Sequence, residues 1–169
     1  MPAGLLFQLQ LILGYAAWLL CFGAFIWPRL KAMESFAAQR AIAALHVFRF
    51  FGLVFILPGI VSPHLPASFA TSAAYGDLAA GLLAMLALLT AGMRPLFWLF
   101  VIAFNLVGAA DLILNYVHAM QIGLPERAAE LGMAYAIPVL YVPILMITHI
   151  AAFTLMARSV RLLPAGHRA

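Results

Sequence analysis

The sequence predicts an all-α membrane protein, folded as a single integral membrane domain over residues 1–169 with five transmembrane helices. Of its 169 residues, 67% are hydrophobic and 8% are charged, and the mean hydropathy is +1.10. Soluble domains are about half apolar and about a quarter charged. Five apolar stretches also reach, or come close to, the length of about 20 residues that a helix needs to cross a bilayer. The composition therefore excludes a water-soluble globule and a disordered chain.

The bounds of the five spans follow from the charged residues and prolines between them. No positive residue precedes the first apolar run, so we expect a retained span there rather than a cleaved signal. Arginines or prolines bound the apolar runs that follow, in agreement with the cost of placing a charge in the bilayer. The predicted spans one to five cover residues 4–27, 41–62, 76–93, 96–119 and 131–157.

The basic residues predict an orientation. Eight Lys and Arg residues lie outside the predicted spans, and only Arg127 falls on the side of the N-terminus. The positive-inside rule then places the N-terminus outside and the C-terminus in the cytoplasm of a bacterial inner membrane. The net charge of +4 comes from scattered residues, so nucleic acid is not expected as a partner. The seven residues on the cytoplasmic side are Arg29, Lys31, Arg40, Arg94, Arg158, Arg161 and Arg168.

Polar side chains inside the spans are the candidate functional residues, because charged groups in a bilayer turn toward one another. We expect Arg49 of span two to form a buried ion pair with Asp111 of span four, or alternatively with Asp77 at the opening of span three. Asn115 and His118 follow Asp111 on one face of span four, whereas Asn105 points elsewhere. The predicted ligand-binding residues are Arg49, Asp77, Asp111, Asn115 and His118. The alternative is an ion pair that only holds helices together.

Prolines favour a pocket in the outer half of the bundle, where the predicted ligand-binding aspartates lie. Pro58 with Gly59 predicts a kink at the outer end of span two, and Pro138 with Pro143 predicts a bend in span five. Carbonyl groups freed by such breaks must be satisfied by neighbouring helices or by a cavity.

Two histidines at similar depth, His46 in span two and His149 in span five, are candidate cofactor ligands. Neutral imidazole is an axial ligand of b-type haem, and the alternative is a pair of hydrogen-bonded histidines at a helix contact. No cysteine, histidine and carboxylate spacing predicts a metal site, and Cys21 is the one cysteine. No residue is assigned a catalytic role, and the sequence leaves open whether the protein is an enzyme.

Five short motifs lie between Arg49 and Arg94: Arg49-Phe-Phe-Gly52, Pro58-Gly59, Ser62-Pro-His-Leu-Pro66, Ala74-Tyr-Gly-Asp77-Leu and Ala91-Gly-Met-Arg94. On these motifs, residues 41–157 resemble the DoxX-like small membrane proteins. The resemblance implies an antiparallel four-helix bundle formed by spans two to five, with span one as an addition, and an association with membrane redox chemistry. The acidic residue is Asp77 where the family has glutamate, and the resemblance supplies no catalytic residue.

Together these features predict an accessory membrane subunit, or a binder of a hydrophobic small molecule such as a quinone or lipid. One alternative is a haem electron carrier that uses His46 and His149, and another is a small proton-coupled transporter. The expected partners are membrane lipid, a redox partner subunit and further copies of the chain.

Overall fold

The computed structural model describes residues 1–161, with side chains as far as Arg158, and its regular structure over this range is entirely helical. Five helices are long and apolar enough to cross a membrane, which confirms the predicted fold class. We keep the names span one to span five for Ala3–Ala32, Ser35–Ile56, Ala67–Leu89, Arg94–Gln121 and Ile137–Arg158.

Spans two to five form an antiparallel four-helix bundle, and span one is an added helix on its outside, as predicted. Span three packs along both span two and span four, and span five closes the bundle against these two. Span one packs mainly on span five. In its first helix, Ala3–Cys21, only Gly4, Phe7 and Gly14 are buried, so most of its surface faces away from the bundle.

Span three is longer than predicted, and this corrects the position of Asp77. The helix begins at Ala67, directly after Pro66, rather than at residue 76. The residues from Ala67 to Tyr75 were predicted as loop, but their hydroxyl side chains are tolerated in membrane helices when they bond across to a neighbour. Ser72 Oγ does so, 3.1 Å from Asn115 Oδ1. Asp77 therefore lies about 15 Å along the span rather than at its opening.

Span two changes helix type near its middle. Ser35–His46 is α-helical and Val47–Ile56 is a 3₁₀-helix, which has three residues per turn and stacks residues three apart on one line. Four residues at this spacing are buried, and they include the candidate arginine. The four are His46, Arg49, Gly52 and Phe55.

The outer end of span two lies six residues before the predicted bound of residue 62. The helix ends at Ile56, and the chain then turns through Pro58 and Gly59. Gly59 has a φ of +82°, which is a backbone conformation that favours glycine. The predicted kink is therefore the end of the helix.

The predicted bend of span five is a π-helical segment. A 3₁₀-helix, Ala128–Tyr135, precedes the span, and the π-helix Ile137–Tyr141 leads into the α-helix Val142–Arg161. The span thus begins six residues later than the predicted residue 131. Within this segment the carbonyl of Leu140 accepts a hydrogen bond of 2.7 Å from Trp18 Nε1, which ties span one to span five.

Spans one and four extend slightly beyond their predicted bounds. Span one continues to Ala32 through a π-helix, Phe22–Ile26, and a short α-helix, Trp27–Ala32. Span four is one uninterrupted α-helix, Arg94–Gln121, two residues longer than predicted at each end.

The charged residues are distributed unevenly between the two ends of the bundle. At one end Arg94 Nη1 lies 3.6 Å from Glu34 Oε1, and the Arg158 guanidinium lies over the Trp27 ring. At the other end Arg127 pairs with Glu130. We refer to the first as the basic end, which carries Arg29, Lys31, Arg40, Arg94 and Arg158. Arg168 and the side chain of Arg161 lie outside the described part of the chain.

Candidate functional site

Arg49 is fully buried at the centre of the bundle and contacts both candidate aspartates. Its Nε donates to Asp77 Oδ1 at 2.7 Å, and its Nη2 donates to Asp111 Oδ2 at 2.6 Å. The predicted ion pair with Asp111 is present, and the alternative partner Asp77 is bound at the same time. One guanidinium thus joins spans two, three and four.

Three glycines, one on each of these spans, make room for the charged groups. A Cβ on Gly52 would overlap the Asp77 carboxylate, and a Cβ on Gly76 would overlap the Asp111 carboxylate. A Cβ on Gly108 would lie 2.6 Å from His149 Nε2 and would overlap the guanidinium. The close approach of the helices therefore depends on these three glycines.

His149 contacts the opposite edge of Arg49 and is held as a neutral imidazole. Arginine has only donors, so Nη1 donates and His149 Nε2 accepts, at 3.2 Å. The other ring nitrogen, Nδ1, then carries the proton and donates to Asn105 Oδ1 at 2.9 Å. Asn105 Nδ2 donates in turn to the Val101 carbonyl at 2.8 Å. Asn105, expected to point elsewhere, belongs to this network.

His46 lies beside His149 and is bonded to Thr148. The Thr148 hydroxyl donates to backbone carbonyls, 2.8 Å from Ile144 O, so its oxygen accepts from His46 Nε2 at 3.0 Å. The two imidazole rings are in contact, with centroids 4.2 Å apart. His46 Nδ1 is buried without a hydrogen-bond partner. His46 is therefore also neutral, because a second proton would have no acceptor.

The two histidines do not fit the predicted haem site. An axial ligand needs a free nitrogen lone pair, but His149 Nε2 accepts from Arg49 and its Nδ1 is protonated. The contact between the rings also leaves no space for a macrocycle between them. Among the described residues no group of three or more metal-binding side chains is present. The alternative prediction, hydrogen-bonded histidines at a helix contact, describes this part of the site.

On the other side of Arg49, the aspartates face a second polar group and open space. Asn115 Nδ2 donates to Asp111 Oδ1 at 2.7 Å, and Asn115 Oδ1 accepts from Ser72 Oγ. The side chains of Asp77 and Asp111 are each 9% exposed, whereas Arg49 is 0% exposed. The carboxylates therefore lie between the arginine and an internal cavity.

This cavity has a volume of about 290 Å³ and is bounded by all five spans. Asp77, Asp111 and Asn115 form its polar end. Its walls are mainly apolar. Leu124 and Leu131, from the segment between spans four and five, line the part of the cavity that is distant from the aspartates. The other wall residues include Phe7, Leu11, Phe55, Phe69, Ala73 and Leu112.

The cavity is open on the side between spans one and four. Ile12 of span one is 65% exposed, and Tyr116 and Met120 of span four are 59% and 51% exposed, although all three line the cavity. In a membrane this side faces acyl chains.

Two of the five predicted ligand-binding residues lie outside the cavity lining. Arg49 is behind the aspartates and touches the cavity only through them. His118 is directed to span three, where its Nε2 lies 3.5 Å from Ser68 Oγ and its ring meets Phe69 edge to face. The contribution of span one was not predicted, because the resemblance covers only spans two to five.

These features define a class: a multi-pass helical membrane protein with a buried charge cluster at one end of an internal cavity. A family model described as a domain of unknown function, DUF8737, matches residues 6–157, and the chain belongs to this family. The match includes most of span one and every residue of the site. No curated protein and no solved structure matched the chain.

Proposed function

We propose that the protein binds a hydrophobic small molecule, such as a quinone or lipid, in the cavity, and acts as an accessory subunit in membrane redox chemistry. The polar head of the molecule would contact Asp77, Asp111 and Asn115, and its apolar part would lie between spans one and four. The observation that carries this proposal is the apolar cavity that ends at ion-paired carboxylates. The redox association rests on the resemblance to DoxX-like proteins.

The cavity favours ligand binding over a purely structural ion pair. Ligand sites are mostly apolar, with a few polar groups that orient the bound molecule, and in bundles they lie between helices. A charge cluster that only joins helices needs no space beside it, because protein interiors pack at nearly crystalline density. The space here lies directly against the two carboxylates and Asn115.

A bacterial inner membrane, with the basic end in the cytoplasm and the N-terminus outside, is the proposed location. The five described basic residues at one end support this orientation through the positive-inside rule. Reporter domains fused to either terminus, each active on only one side of the membrane, test it. A cytoplasmic N-terminus would reverse the proposed orientation.

Mass spectrometry of the gently solubilised protein tests binding, with a variant that fills the cavity. Ala73→Phe places a ring in the cavity wall one helical turn from Asp77, and Leu114→Phe is the matched control on the exposed face of span four. We expect a lipid or quinone to co-purify with the wild type and the control and to be lost from Ala73→Phe. Equal recovery from all three proteins would contradict the proposal.

Asp111→Asn tests whether the Asp111 carboxylate contributes to ligand binding or only to stability. The amide keeps the shape of the side chain but removes its charge, while the ion pair between Arg49 and Asp77 remains. We expect a folded protein, with a loss of about 1.5–3 kcal/mol for a hydrogen bond to a charged group, that retains clearly less of the co-purifying molecule than the wild type does. A variant that loses stability and still retains the molecule would make the carboxylate structural.

Proton-coupled transport is a second candidate, because the ionisable carboxylates of Asp77 and Asp111 lie at the polar end of the cavity and carboxylates inside a bundle are typical of proton relays. Proteoliposomes that hold a pH-sensitive dye test this function. A proton flux in the wild type that is lost in Asp111→Asn would favour transport, and its absence from the wild type would argue against it.

A further inference from the structure

The hydrogen-bonding groups at the polar end of the cavity are predominantly acceptors. Arg49 uses Nε and Nη2 on the aspartates and Nη1 on His149, and no arginine, lysine or histidine is among the cavity-lining side chains described. The amide nitrogen of Asn115 is bound to Asp111. A molecule that reaches this end therefore meets carboxylate oxygens, which accept hydrogen bonds and donate none when ionised.

When Asp77 and Asp111 are both ionised, the cluster carries more negative than positive charge. It contains two carboxylates and one guanidinium. His46 and His149 add no charge, because their hydrogen bonds fix both as neutral imidazoles. In apolar surroundings an uncompensated charge is costly, so a positive or hydrogen-bond-donating group would stabilise the cluster and a second anion would destabilise it.

We propose that the cavity selects amphiphiles whose head donates hydrogen bonds and carries no negative charge. An ammonium group is the strongest candidate, and hydroxyl heads, such as those of a hydroquinone, come next. Carboxylate heads, and heads that only accept hydrogen bonds, such as an oxidised quinone, are disfavoured. This inference rests on the proposed function, since it names the class of molecule that the same cavity takes.

Three amphiphiles with the same chain and different heads provide the test: dodecylamine, dodecanol and dodecanoate. The protein is placed in phosphatidylcholine nanodiscs at neutral pH, and Tm is measured against the mole fraction of each amphiphile, which gives an apparent affinity. The cavity-filled variant Ala73→Phe is measured in parallel, so that effects on the bilayer itself are subtracted. We expect dodecylamine to bind about tenfold more tightly than dodecanoate or better, with dodecanol between them.

Two variants change the charge at the cavity. Asp111→Asn removes the excess negative charge and should narrow the preference for dodecylamine over dodecanoate about tenfold. Ala119→Lys adds a positive charge to the cavity wall, one helical turn beyond Asn115, and should also narrow this preference. If Asp111→Asn does not fold, the direction of change in Ala119→Lys decides the question alone.

The possible failures are distinguishable. If no amphiphile shifts the Tm of the wild type more than that of Ala73→Phe, the cavity is not a binding site, and the proposed function is contradicted. If amphiphiles bind but dodecanoate binds as tightly as dodecylamine, the proposed function stands and the selectivity is wrong. A preference for dodecylamine that follows the charge of the two variants supports the inference.

Discussion

The two sides of Arg49 contain similar polar residues but have different surroundings. On the closed side, toward the basic end, His149, Asn105 and His46 are fully buried and contact one another. On the open side, Asp77 and Asp111 border a cavity of about 290 Å³. Both sides thus contain buried polar groups, but only the open side has space beside them. The presence of such groups alone is therefore no sign of a binding site, and the adjoining cavity is the reason why we propose one on the open side.

The apolar residues around each side show the same contrast. Phe97, Val101 and Phe104 are each 0% exposed in the core cluster of the closed side. In the core cluster of the open side, Phe7, Phe55 and Phe69 are buried but also line the cavity. Substitutions on the two sides should therefore differ in the free energy of unfolding, and four predictions follow from the largest expected effect to the smallest.

Removal of the arginine should destabilise both sides at once. Arg49→Ala leaves two carboxylates and the acceptor nitrogen of His149 without their partner. Breaking a buried ion pair in this way costs about 3–5 kcal/mol, so we expect little folded protein and a large fall in Tm. Arg29→Ala, at an exposed residue of the basic end, is the control. A double-mutant cycle with Asp111 that gives no coupling energy would contradict the ion pair as a stabilising interaction.

Adding one methyl group should distinguish the closed side from the open side. Gly108→Ala presses on Arg49 and His149, which are both fixed by other contacts, so an overpacking cost of about 1–3 kcal/mol is expected. Val142→Ile adds one carbon at the wall of the cavity, where there is free space, so its cost should be smaller. Chemical denaturation of both variants measures this difference.

Gly23→Ala is the matched control for Gly108→Ala, because nothing lies within 4 Å of a Cβ at that residue. Its stability should equal or exceed that of the wild type, since alanine favours helix by about 1 kcal/mol over glycine. A Val142→Ile variant less stable than Gly108→Ala would reverse the assignment of the open and closed sides.

The histidines on the two sides should respond differently to the same substitution. His149→Leu leaves Asn105 Oδ1 and one donor of Arg49 unpaired in the core, at about 1–3 kcal/mol. His118→Leu removes a contact of 3.5 Å to Ser68 and replaces the ring contact with Phe69 by an apolar one, so a change within about 0.5 kcal/mol is expected. Thermal unfolding of the two variants in one detergent compares them. Equal losses would show that His118 is more strongly held than its contacts indicate.

The smallest effect is expected at the hydroxyl that supports the open side. Ser72→Ala removes the bond to Asn115 Oδ1 but leaves Asn115 bound to Asp111. Hydrogen bonds between membrane helices contribute about 0.6 kcal/mol on average. Thr154→Ala is the control, because the Thr154 hydroxyl bonds within its own helix to Ile150 O. Unfolding in denaturant should show a lower free energy of unfolding for Ser72→Ala than for the wild type, and a smaller decrease for the control.

The sequence predicted the ion pair because the physical reason is general: a charge in a bilayer needs a partner. Arg49 and Asp111 met this requirement whatever the details of packing. It did not predict the place of Asp77, since the length of the apolar run placed the start of span three at residue 76 and the helix begins at Ala67. Nor did it predict that Asn105 joins the network, because that depends on where His149 of span five lies.

The sequence predicted a pocket in the outer half of the bundle, but not which helices form its walls. Its outer wall is span one, and the position of span one is set by its packing on span five. There Gly14 lies so close to the Val139 carbonyl that any Cβ would overlap it. Such a contact leaves no periodic pattern in the sequence. The prolines indicated irregular helices in the outer half of the bundle. The volume of a cavity, however, depends on the distances between helices, which the prolines do not determine.

In the 3₁₀ segment of span two, residues three apart in the sequence lie on one line along the helix. A turn of three residues means that an insertion or deletion of one residue within Val47–Ile56 rotates everything on one side of it by about 120°. His46 would then lose its alignment with Arg49, Gly52 or Phe55. Only a change of three residues keeps the line intact, and it moves the guanidinium by a full turn of about 6 Å along the axis. The number of residues in this segment therefore cannot change without a change in the position of its charge.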